Sequence, residues 1–183
     1  MKAEEFVKQL SLAAPSVDDL DKAQFPSSLV DNLTKSYICV SRKSPIKLGT
    51  STGNKDLDDL FSGWHLGEIS ISTIEFFDKP KNVASGVQIG IEEAEPLLAS
   101  SSNGEIFIEE AGTGGHRLSD VAENGGKFLD AMLIVACFFS KRATKEISYE
   151  DFAAAKIAAS DCATAAGGDK YLRFFMNFLG AEE

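Results

Sequence analysis

Between about residues 67 and 121 the apolar residues alternate with polar ones, while on either side of that stretch they recur at helical spacing. Side chains alternate across a strand and repeat roughly every 3.6 residues around a helix, so this change of period divides the chain into blocks. Ile69 and Ile71 alternate with serines in "EISIST", and Val87, Ile89 and Ile91 alternate in "VQIGI". The segment "PLLASSSNGEIFIEE" predicts strand, turn and strand, because Asn103-Gly104 supplies the positive φ values of a tight hairpin. Ile106 and Ile108 then face the core. After "AGTGG", "HRLSDV" predicts a further antiparallel strand with Leu118 inward. The block is a meander.

The flanks are helical. Phe6, Leu10 and Ala13 form a stripe that ends near Pro15, and "PSSLVDNLTKS" puts Leu29, Val30 and Leu33 on one face with Ser27 or Ser28 as cap. "YICV" predicts a short strand, and "DLDDLFSGW" places Leu57, Leu60, Phe61 and Trp64 at helical spacing. Downstream, "GKFLDAMLIVACFFSKR" is apolar nearly all round and predicts a core helix. "ISYEDFAAAKIAASDCATAAGG" starts with Ser148 and Asp151 in capping positions and stops at Gly167 and Gly168; "DKYLRFFMNFLG" opens on Asp169 and ends at Gly180. The expected class is α+β: N-terminal helices, a central antiparallel twisted sheet, and C-terminal helices packed on it.

Charge narrows the partners. The 183 residues carry a net charge of -10 with an isoelectric point near 4.7. Such a chain repels phosphate backbones and anionic membranes and attracts basic partners, so neither nucleic acid nor membrane is expected as a partner. The acidic, interrupted start "MKAEEFVKQLSLAAPS" does not read as an export signal, and the apolar window Phe128 to Phe139 is shorter than the roughly 20 residues of a membrane span. Cys39, Cys137 and Cys162 are odd in number and widely spaced, which disfavours a disulfide framework and a zinc site and fits a cytoplasmic protein. Each sits in an apolar or alanine-rich setting that raises a thiol pKa, and Cys137 on the apolar helix is expected to be a packing residue.

Motifs for chemistry are sparse. "GTSTGNK", Gly49 to Lys55, misses the phosphate-loop spacing, with Asp56 where a magnesium-binding hydroxyl belongs. "EEAGTGGHRL" runs into a strand rather than a helix N-terminus, so its glycines read as a hairpin tip. His65 and His116 stand alone, and "IEEAEP" lacks the ligand spacing of a calcium loop. No catalytic, metal or cofactor site is expected. The acidic hairpin residues Glu92, Glu93, Glu95, Glu109 and Glu110, with His116, are the candidate partner-binding rim.

The pattern of "FPSSLVDNL", then "IGIEEAEPLLASSSNGEIFIEE", then "HRLSDVAENGGKFLDAMLIV" resembles the SUKH superfamily of immunity-type proteins from bacterial toxin systems. It covers residues 25 to 142, with 1 to 24 as an N-terminal helical segment and 143 to 183 as a helical extension like that of longer members, all within a single domain. "NLTKSYICV" departs from the Tyr-Asn-Gly-Gly that many members place after the first helix. The resemblance implies a non-catalytic protein that occludes a cognate toxin, often a nuclease. Two alternatives stand beside it: a small-ligand or nucleotide-dependent enzyme using the Gly112 to His116 loop, and an adaptor without a toxin partner. A homodimer through the C-terminal phenylalanines is a further option, although burial favours placing them in the core.

Overall fold

The computed structural model describes residues 1–181. Helix α1 (Ala3–Ala13) buries Phe6 and Leu10, and stops ahead of Pro15. A short α2 (Val17–Lys22) follows, opened by Ser16, whose hydroxyl accepts the N–H of Asp19. In α3 (Ser27–Lys35) the N-cap is Pro26 rather than either serine; Val30 is buried, but Leu29 is 49% exposed. Helix α4 (Lys55–Gly63) buries Leu57, Leu60 and Phe61, and is bracketed by a two-stranded ribbon, β1 (Val40–Ser41) with β2 (Trp64–His65).

The central block is an antiparallel sheet of six strands whose spatial order is their chain order. They are β3 (Ser70–Ile71), β4 (Ile74–Val83), β5 (Gly86–Glu92), β6 (Glu95–Ala99), β7 (Ile106–Glu109) and β8 (Arg117–Ala122). Each connection is therefore a hairpin, as the alternating period predicts. The long β4 has no such signal, because Pro80 interrupts it; the register shift between Phe76 and Lys81 is where the strand accommodates a residue that cannot donate. Leu97 pairs with Ile108, and Ala99 with Ile106, and all four are buried. Ile106 and Ile108 thus face the core as expected.

Helix α5 (Gly125–Ala143) covers this face. Its fully buried Phe128 meets Phe76 at 6.0 Å between ring centroids, a burial that contributes about 2 to 3 kcal/mol. Helix α6 (Phe152–Ala166) packs on α5 through alanines and Cys162, whose thiol donates to Ala131 O at 3.8 Å. Asp151 caps α6 through the N–H of Ala154, and Gly167 ends it at a φ of 127°. A single 3-10 turn then leads into α7 (Leu172–Phe178), which returns to the β8 edge. The α+β arrangement is the expected one, with Phe174 and Phe175 buried in the core. Among the described residues no helix is long and apolar enough to cross a membrane.

Three local expectations need correction. The Ser100 to Glu105 connection is a wider loop in which Gly104, not Asn103, adopts positive φ. Leu118 is 47% exposed, because β8 is the edge strand and the register passes from the pair Ile108 and Ser119 to the pair Glu109 and Arg117, leaving Leu118 as the extra residue. Cys137 is exposed on α5 rather than packed inside.

Candidate functional site

The pairing of Ile74 with Glu92 sets the β3–β4 and β5–β6 turns side by side. The N–H of Glu93 donates to Thr73 O at 3.0 Å, and the Thr73 hydroxyl donates to Glu92 Oε1 at 3.0 Å. Ser72 and Glu93, at the tips, have φ values of 57° and 53°, a region that side-chain-bearing residues seldom enter. Such strain persists only where the surroundings hold it, and it clusters at functional sites. Across from these turns stands α7. Between them lies a groove of about 320 Å³, with Phe174, Asn177 and Phe178 on one wall, Glu92, Glu93 and Glu95 on the other, and Ile108, Leu118 and Ser119 between.

Among the described residues no basic side chain lines this groove. Burial pushes the Glu92 carboxyl above its ordinary value; the Thr73 hydrogen bond opposes that shift, and the charges of Glu93 and Glu95 add to it. A cation placed here meets three acidic side chains above an apolar floor. That combination suits a lysine or arginine whose aliphatic stem packs while its head is neutralised.

The candidate rim residues separate in the structure. Glu92, Glu93 and Glu95 come together in the groove. Glu95 also accepts the N–H of Ala111, which pins the glycine-rich loop to the β5–β6 turn. Glu109 is not at the rim: it is only 7% exposed, and its Oε2 is buried without a hydrogen-bond partner. Its register partner Arg117 is drawn elsewhere, lying 4.0 Å over the Phe107 ring and pairing with Asp120 at 2.7 Å and Glu105 at 3.3 Å.

Glu110 and His116 are exposed at the loop. Glu110 N donates to His116 O at 2.9 Å, closing the hairpin that the glycine pattern predicts. Gly114 and Gly115 take φ values of 66° and 131°, so the glycines serve the reversal. Among the described residues the His116 imidazole has no hydrogen-bond or ion-pair partner.

Two features escaped sequence reasoning. Phe174 and Phe178 read as core residues, and nothing in the sequence ties them to glutamates some eighty residues earlier. His65, read as solitary, stands 3.0 Å from Arg42 Nη1 through its Nδ1. Because a guanidinium only donates, Nδ1 is the acceptor in this contact, and it also lies 3.4 Å from Asp78 Oδ1. Asp78 Oδ1 accepts from Arg42 at 2.9 Å and from Leu66 N at 3.0 Å. Partial burial pushes the Asp78 carboxyl up, but these hydrogen bonds and the Arg42 charge hold it below its ordinary value. The cluster fastens the ribbon to β4. Among the described residues no three histidine, cysteine or acidic side chains are grouped to hold a metal.

No protein-family model matches the chain, and comparison with curated proteins and with solved structures likewise finds no match.

Proposed function

We propose that this chain is a non-catalytic, immunity-type binding protein of the cytoplasm, and that its acidic groove receives a basic face of a co-encoded toxin. The single observation that carries the reading is the gathering of Glu92, Glu93 and Glu95 over an apolar floor, with no basic lining residue among the described residues. A net charge of -10 supports it, since complementary charge speeds encounter and penalises wrong partners. Apolar burial by Leu118 and the α7 phenylalanines then slows release. The resemblance to SUKH proteins supplies the toxin part of the proposal.

Co-expression with the product of the neighbouring reading frame tests it. That product should be toxic alone, harmless alongside this chain, and co-purified with it. A neighbour that stays toxic and unbound overturns the proposal. A harmless neighbour bound through the same groove removes the immunity role and leaves an adaptor.

A further inference from the structure

A second groove, of about 370 Å³, adjoins the acidic one. It is walled by Phe25, Leu29 and Leu33 from the α3 region, Tyr37, Phe139 of α5, and Tyr149, and among the described residues no charged side chain lines it. Tyr37 donates its hydroxyl to Ala136 O at 3.1 Å, so that polar atom is already satisfied by the protein. Leu29 and Tyr149 are 49% and 64% exposed, so this groove opens apolar surface to solvent.

Two features join the grooves. Ser72, held at positive φ, lines both. A row of rings runs from one to the other: Phe174 stacks on Phe178 at 5.3 Å, and Phe178 meets Phe139 edge-on at 6.2 Å. The surface is thus one trough, acidic at the Glu92 end and apolar at the Leu29 end.

We infer that this trough holds a single peptide segment of a partner protein, with lysine or arginine at one end and an aromatic or aliphatic anchor at the other. The inference rests on the binding role proposed above and specifies what is bound. Charge complementarity selects the occupant. An anionic lipid or phosphate ligand is repelled by Glu92, Glu93 and Glu95, whereas a peptide carries a cation and an apolar anchor a few residues apart, each extended residue spanning about 3.3 Å. Apolar anchors seated in a preformed groove are a recurrent mode of peptide recognition.

The probe is a fluorescein-labelled peptide with lysines at one end and leucine and phenylalanine at the other, titrated by anisotropy into the full chain. Leu29→Ser is expected to weaken it about tenfold, equivalent to the loss of about 1.4 kcal/mol of apolar contact, while leaving a lysine-only probe unaffected. Tyr149→Ser, from a different element, does the same. Glu92→Gln with Glu93→Gln weakens both probes and steepens neither in salt. If only the glutamate variant weakens binding, the two-ended trough is wrong and the acidic-groove reading survives. If no variant matters, or a probe with glutamates in place of lysines binds as well, both fall.

Discussion

Asn54 Oδ1 accepts the backbone N–H of Gly125 at 2.8 Å, while Asn54 Nδ2 donates to Gly104 O, also at 2.8 Å. One side chain therefore satisfies the first N–H of α5, next to the N-cap Asn124, and holds the β6–β7 connection. Asn54→Ala should destabilise the protein by about 2 kcal/mol in urea unfolding, having lost two side chain–backbone hydrogen bonds. Asn54→Asp keeps the acceptor and should cost less. Equal losses in the two variants would show that the hydrogen bond to Gly125 contributes nothing.

Arg142, 5% exposed, donates to Leu179 O at 3.0 Å and to Tyr149 O at 3.4 Å, and lies 4.4 Å over the Phe138 ring. It ties the end of α5 to the segment after α7. Arg142→Ala should cost about 3 kcal/mol, because charged donors are worth about 1.5 to 3 kcal/mol and packing is lost as well. Hydrogen exchange should accelerate first in α7. Uniform acceleration across the sheet would contradict that local role.

The layout was legible wherever one period persisted. Val87, Ile106 and Ile108 announced their strands, and the apolar run around Phe128 announced α5. Strand β4 was hidden by Pro80 at an irregularity, and α2 by its six-residue length, although Ser16 ahead of Asp19 was a capping signal. Leu118 was misjudged because alternation assumes an unbroken register, and a single extra residue there moves the strand out of phase. Half of the candidate rim was legible as acidic hairpin tips, Glu92, Glu93 and Glu95. The facing wall was not, since only the return of α7 to β8 brings Phe174 and Phe178 to those tips.

Two carboxylates should give opposite pH signatures. The Lys170 hydrogen bond at 3.0 Å, with help from Asn103 and Arg117, holds Glu105 below its ordinary 4.5. Its stabilisation is present above that value and is lost as pH falls through the lowered folded value. Glu92 is raised, so its contribution is present below 4.5 and lost as pH rises through the raised folded value. Thermal melts should show Glu105→Gln less stable than wild type near neutrality, with the gap closing in acid. Glu92→Gln should be at least as stable as wild type near neutrality. Reversal of either sign would contradict the assigned environments.

The exposed His116 has no built chemistry around its ring, so His116→Ala should leave both the melting temperature and partner binding within error. A panel of nucleotides and phosphate compounds should give no shift in melting temperature. A shift that vanished in the His116 variant would instead favour a ligand-dependent enzyme using the Gly112 to His116 loop.

The central claim is that a basic protein binds at Glu92 and Glu93. Its most direct measurement is calorimetric titration of the neighbouring-frame product into wild type and into the Glu92→Gln, Glu93→Gln variant, at low and high salt. Wild type should bind, with affinity falling as salt rises, and the variant should bind about tenfold more weakly with a shallower salt dependence. Equal affinities and equal salt slopes would contradict the account.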